Sequence, residues 1–294
     1  MAITGQGTQE DPWIVHDYEE VKSAYKKTNG NSKLYIKLEN DIDCNDYGDT
    51  WEWETITPYT SSCDYTFDLN GRTIKNIMIK SGNTLFNCNS KRDVIHNGKI
   101  LNVFNNAGES VIAGNGLTLK DISMSVSGNG LTSYGFNNVF FEKCAVYYIS
   151  SKLNANIIYF TGAYSNVIGV KNCDFYFDVN NMDSKNLTNS VNYVNYDNCR
   201  FRGSVSGTSN SNYLLGKGKC INSVVEIDTR NMAWGNMVGS LKKPCNQTST
   251  GIINTEISPN LDGGTSGLAA CTSSQIRNAD YLNSIGFTVV KVGE

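Results

Sequence analysis

Eight times between residues 74 and 257 the chain returns to one short pattern. An apolar residue and any residue lead to Asn or a polar stand-in; a small or β-branched residue, any residue and an apolar residue follow. It reads Ile74-Lys75-Asn76-Ile77-Met78-Ile79, then Ile100-Leu101-Asn102-Val103-Phe104-Asn105, where the closing apolar residue is lost. It continues as Leu119-Lys120-Asp121-Ile122-Ser123-Met124 and Phe141-Glu142-Lys143-Cys144-Ala145-Val146. The clearest copies are Val170-Lys171-Asn172-Cys173-Asp174-Phe175 and Tyr196-Asp197-Asn198-Cys199-Arg200-Phe201. The last two are Cys220-Ile221-Asn222-Ser223-Val224-Val225 and Ile252-Ile253-Asn254-Thr255-Glu256-Ile257. The third positions lie 26, 19, 22, 29, 26, 24 and 32 residues apart. Such a period commits a chain to stacking, because one copy alone cannot bury its own apolar face. It is too short for a propeller blade and too irregular for a leucine-rich repeat.

Each copy alternates apolar and polar residues on either side of a polar bend, and helical periodicity is nearly absent. The pattern predicts an all-β fold, a right-handed parallel β-helix whose coils of three short strands stack at about 4.8 Å. An antiparallel sandwich is the alternative. The chain holds 38 Asn, and Asn tolerates the left-handed backbone that a tight bend demands. Asn76, Asn102, Asp121, Asn172, Asn198, Asn222 and Asn254 are therefore expected to form a structural ladder of stacked bends, with Lys143 in the same place. Amide contacts along such a ladder contribute about 0.5–1.5 kcal/mol per step. Cys144, Cys173 and Cys199 follow the bend and should stack as a buried column. The nine cysteines include no CxxC, and two histidines cannot complete a zinc site of the usual kind. No metal or cofactor is expected, and the thiols are expected to be reduced.

The ends differ from the middle. Residues 17–25 carry apolar side chains at 18, 21, 24 and 25, a helical stripe, and residues 33–38 read as a strand. From Thr272 a capped helix is expected, closed by Gly286 and followed by a strand over 287–292. The division is an N-terminal cap at 1–50, coils at 51–261 and a C-terminal cap at 262–294, with short helices in both caps.

The coil pattern at 170–175 and 196–201 resembles the pectate-lyase-like superfamily of right-handed β-helices. The opening Gly5-Gln6-Gly7-Thr8-Gln9-Glu10-Asp11-Pro12-Trp13-Ile14-Val15 is similar to those of β-helical structural proteins of bacteriophage virions, and 276–287 resembles their caps. The resemblance implies the fold and a virion role. It brings no catalytic residues.

Net charge is −3 and no basic run exceeds two residues, which argues against nucleic acid. No stretch of 18 apolar residues exists, so no membrane insertion is expected. The N-terminus has neither a basic nor an apolar segment, which points away from export. An enzyme would need a carboxylate cluster on one face. The candidates are Asp174 with Asp178, Asp197 one coil on, and Glu226 with Asp228; all read more simply as solvated outer-face groups. His16 and His96 read as surface residues. Gly216-Lys217-Gly218-Lys219 lacks the spacing of a phosphate loop. Aromatic residues are the better lead. Trp51 and Trp53 would face one way in a strand, Trp234 lies in the longest interval between motifs, and tyrosines cluster at 147–148 and at 193 and 196. Such rings stack on sugars or anchor protein interfaces. Trp51, Trp53 and Trp234 are the candidate contact residues, and a seal between coils and cap is the competing reading for the first two. Contacts are expected in the excursions 176–192 and 226–250, with Asn181 and Asn189 as ordinary outer residues.

The expectation is a non-enzymatic phage virion protein, a fibre, spike or decoration module, made in the host cytoplasm and carried in the virion. Its expected partners are other virion proteins, a host-surface glycan and further copies of itself, as a trimer for example. A polysaccharide-degrading enzyme and a bacterial adhesin are the alternatives.

Overall fold

The computed structural model describes residues 2–207 except 61–62, 89–91, 106–109, 129–134, 153–155, 162–166, 182–187 and 191–193; beyond 207 it describes only the backbone of strands between Tyr213 and Cys271. The chain is a parallel β-solenoid. Its first sheet is fixed by one chain of register partners, Lys37, Asp68, His96, Lys120, Glu142, Lys171 and Asp197. From Asp68 onward these partners lie 28, 24, 22, 29 and 26 residues apart, the coil lengths of the repeat. Their neighbours Ile36, Phe67, Ile95, Leu119, Phe141, Val170 and Tyr196 point inward and are all buried. The second sheet repeats the arrangement with Ile74, Ile100, Met124, Val146, Phe175 and Phe201 inside. A third closes the coil through Phe86, Ile112, Phe136 and Ile158. Parallel stacking puts like beside like, so the core is built from columns of one chemical type.

Like beside like is a problem for charge, and the outward column of the first sheet meets it by never setting two lysines or two carboxylates together: Lys37, Asp68, His96, Lys120, Glu142, Lys171, Asp197. Lys120 Nζ lies 3.2 Å from Glu142 Oε1. Opposite charges facing one another across strands contribute about 0.2–1 kcal/mol, and like charges cost as much.

Between the first and second sheets the chain turns in two residues, and the first of the two is left-handed: Asn97, Asp121, Lys143, Asn172 and Asn198 have φ between 51° and 61°. Asn198 Nδ2 donates to Asn172 Oδ1 at 2.8 Å. The second residue points inward as Gly98, Ile122, Cys144, Cys173 or Cys199. Gly98 is forced: the preceding coil has a longer bend whose Leu69 fills the slot, and a Cβ at 98 would lie 2.4 Å from Leu69 Cβ. Cys144, Cys173 and Cys199 do stack, with the Cys144 amide 3.4 Å from Cys173 Sγ. Burial pushes the Cys144 and Cys173 thiols well above their ordinary range.

The structure splits the expected ladder. Asn76 and Asn102 form a column of their own further along the second sheet, where Asn102 Nδ2 donates to Asn76 Oδ1 at 3.0 Å and Asn76 Nδ2 to Asp43 Oδ1 at 2.8 Å. Both are left-handed, at φ 57° and 54°, so one requirement wrote the same letter at two corners. Asn254 sits opposite Ser223 in antiparallel pairing, because Thr250–Asn254 reverses against Ser223–Asp228. Asn222 lies outside the described residues.

At the N-terminus the strand Trp13–Val15 pairs in parallel with Lys33–Leu38, so stacking begins inside the expected cap. Thr4 bridges Ile14 and covers the outer edge of that strand. Helix α1, Tyr18–Ala24, is capped by Asp17, whose Oδ1 accepts from the Glu20 amide at 2.9 Å. Its apolar stripe of Tyr18, Val21 and Ala24 is buried with Tyr25, whose ring stacks on Tyr65 at 5.3 Å. Among the described residues no helix is long and apolar enough to cross a membrane. The expected C-terminal cap lies outside them except for the strand Leu268–Cys271, which pairs antiparallel with Thr250–Asn254.

Candidate functional site

On the outer face of the second sheet, register sets Tyr147 beside Tyr176 and Tyr176 beside Arg202. Alternation along the strands Ala145–Ser150, Asp174–Val179 and Arg200–Val205 turns these side chains outward while Val146, Phe175 and Phe201 turn in. The two tyrosine rings lie 5.8 Å apart at 35°. The Arg202 guanidinium lies 5.9 Å from the Tyr147 ring and 5.8 Å from the Tyr176 ring, within cation–π range. It is fixed by two bonds to Asp174, Nε to Oδ1 and Nη2 to Oδ2, each 2.9 Å, and Nη2 also donates to the Tyr147 hydroxyl at 3.3 Å. Burial works against the charge on Arg202, but the Asp174 carboxylate overcomes it and holds the guanidinium above its ordinary pKa. In the next outward column Ser204 Oγ donates to Asp178 Oδ1 at 3.0 Å. Tyr147 and Ile149 remain 44% and 49% exposed, so a rigid plate of aromatic, apolar and paired polar groups faces solvent.

Of residues 176–192, expected as an excursion, two described stretches are strands of the coils: Tyr176 to Val179 finish a strand of the second sheet, and Thr188–Ser190 is a strand of the third. Asn181 is likewise not an ordinary outer residue but a left-handed bend at φ 54°, its amide donating to Ser206 Oγ. The plate was within reach of the sequence. Aligning the two clearest motifs sets Tyr176 opposite Arg202, and the copy at 141–146 sets Tyr147 on the same line.

The tryptophans go elsewhere. Trp53 is fully buried and its Nε1 donates to the Leu85 carbonyl at 3.0 Å, so it is a core residue closed to partners. Trp51 is half-buried, stacked on Tyr47 at 4.7 Å and edge-on to Tyr18 of α1 at 4.8 Å. Both seal the junction between cap and coils. Trp234 lies outside the described residues.

The histidines are less exposed than expected. His16 Nδ1 lies 2.8 Å from Glu20 Oε2 in the cap. His96 joins the first-sheet charge column, in a cleft of about 490 Å³ lined by Glu10, Tyr35, Lys37, Thr66 and Asp68. Its Nδ1 is 3.9 Å from Asp68 Oδ1, beyond hydrogen-bond range, so the carboxylate does not orient the ring as a base. Asp174 is committed to Arg202 and Asp197 lies on the first sheet, whereas strand register on the second sheet sets Glu226 beside Arg202 and Asp228 beside Ser204. Among the described residues no group of three His, Cys, Asp or Glu side chains could hold a metal ion.

No protein-family model matches the chain. No curated protein matches it. Among solved structures it is similar to the crystal structure of a candidate immunoglobulin A1 protease from Bacteroides ovatus, at 11% identity over 96% of this chain and 90% of that one, with a TM-score of 0.46. A likeness at that level carries neither activity nor partner across.

Proposed function

We propose that this β-solenoid is a non-enzymatic structural module of a bacteriophage virion, which presents the Tyr147–Tyr176–Arg202 plate to a host surface or to a neighbouring virion subunit. The observation that carries the reading is the plate itself. Its rings and guanidinium are fixed before any partner arrives, by backbone register on one side and the Asp174 pair on the other. Pre-ordered aromatic and arginine side chains lose little entropy on contact, which is why such residues dominate binding surfaces. The same geometry locks Asp174 to Arg202 and so withdraws from acid–base work one of the carboxylates that the polysaccharide-degrading alternative would call on. The opening segment's similarity to phage structural proteins supports the virion setting. The test is a virion carrying Tyr147→Ala with Arg202→Ala. Virion incorporation or host adsorption should fall about tenfold or more, with thermal melting of the isolated variant close to that of the parent. Full incorporation and adsorption would remove the plate from function, and cleavage of a glycan panel by the parent protein would replace the reading with an enzymatic one.

A further inference from the structure

A polymer lying along the rod meets the second sheet's outward column once per coil, every ~4.8 Å, close to the advance of one pyranose unit in an extended glycan. At two consecutive coils that column offers a tyrosine ring, and at the third the flat guanidinium of Arg202. The parallel column carries Ile149, Asp178 and Ser204 at the same three coils. An apolar flank thus stands beside one ring and a carboxylate–hydroxyl pair beside the other two positions. Sugar rings present this combination in complement: apolar C–H faces for stacking and hydroxyls at the rim for bonding. Charge narrows the ligand further. Arg200 and Arg202 stand against Asp174 and Asp178, register adds Glu226 beside Arg202 and Asp228 beside Ser204, and the fork of Arg202 is already closed on Asp174 by two bonds of 2.9 Å. An anionic polymer would have to break that pair to gain a bidentate contact, and would meet Asp178 beside it.

Resting on the attachment reading above, we infer that this face binds an uncharged polysaccharide running parallel to the rod axis, with consecutive sugar rings stacked on Tyr147 and Tyr176 and hydroxyls bonded to Asp178 and Ser204. The experiment is affinity electrophoresis of the full chain in gels cast with mannan, dextran, laminarin or arabinogalactan, and in gels cast with polygalacturonate or alginate. At least one neutral polymer should retard the protein, with retardation insensitive to salt. Tyr147→Ala or Tyr176→Ala should weaken it about tenfold, whereas Tyr147→Phe, which keeps the ring, should stay within about threefold of the parent. Thermal melting confirms that each variant is folded. Three results would overturn the inference: no neutral polymer retards the protein; the acidic polymers bind instead, in a salt-sensitive way that Arg202→Ala abolishes; or the protein self-associates through Tyr147 and Tyr176 in sedimentation and binds no saccharide. Because the gel reads saccharide alone, its failure alongside lost adsorption of the plate variant strikes the ligand and spares attachment.

Discussion

Asn198 shows how much a single bend residue does. Its backbone is left-handed at φ 51° and its amide donates to Asn172. Leucine there would keep neither the bond nor a relaxed backbone. Asn198→Leu should cost about 1–3 kcal/mol, whereas Asn87→Leu, on an exposed outward position of the strand Phe86–Cys88, should stay within about ±0.5 kcal/mol. Equal melting losses would show that the bends do not set the coil. Gly203 makes the point from the opposite direction. Its φ is +124° and a Cβ would fall 1.9 Å from the Phe177 carbonyl oxygen, so one coil's backbone must move for any side chain. Gly203→Ala should lose at least about 2 kcal/mol. Gly71→Ala, left-handed at +74° but in open space, should lose only the conformational cost of about 1 kcal/mol. A denaturant series on the two variants separates contact from strain.

At the scale of the element, the stability of α1 depends on a titrating group. Burial would raise the pKa of Glu20, but hydrogen bonds from the His16 ring and the His16 amide overcome it and hold the carboxyl below its ordinary 4.5. A carboxylate with a lowered folded-state pKa contributes stability that is complete above 4.5 and disappears as pH falls through the folded value. Glu20→Gln should therefore lower the melting temperature at pH 7 and flatten its fall in acid, as read by melting across pH 7 to 3. An unchanged acid slope would place the titration elsewhere; Glu54, held near 2 by Lys22 and Lys80, is the neighbour that would supply it. The cap helix was legible because its stripe is local: positions 18, 21, 24 and 25 all go inside. The bends were legible for a similar reason, since a left-handed corner selects Asn or Asp at the residue itself. What could not be read was which corner. Asn76 and Asn102 carry the same letter as Asn172 and Asn198 for the same backbone need, and only strand register assigns them to different columns. The Arg202–Asp174 pair was hidden likewise, because a contact across 28 residues depends on the length of the loop between. Trp53 misled because two tryptophans at i and i+2 look like a face, whereas one of them fills the core under α1.

At the scale of the whole molecule, six coil steps at about 4.8 Å span about 29 Å, and the interior is continuous from the cap to the second sheet's last phenylalanine. Thiols inside such a rod are shielded. Cys44, Cys63, Cys88, Cys144, Cys173 and Cys199 are all buried and unbridged, and burial lifts Cys44 to about 12. Native protein should react with a thiol reagent far more slowly than denatured protein, and unreduced, denatured protein should titrate near its full nine cysteines. A count of one or three would mean bridges. The charged column of the first sheet has a consequence for how such a rod can change length. Coils are the natural unit of duplication and loss, but from Lys120 to Asp197 each coil has a sign, and removing Glu142 or Lys171 from the column sets two equal signs together. Deleting 143–171 would put Glu142 against Asp197, whereas deleting 121–171 would put Lys120 there. Adding Asp197→Lys should thus raise the melting temperature of the first deletion and lower that of the second, a reversal that no loss of core would produce. A lineage of such rods would then grow and shrink by pairs of coils, keeping an even step where charge is stacked.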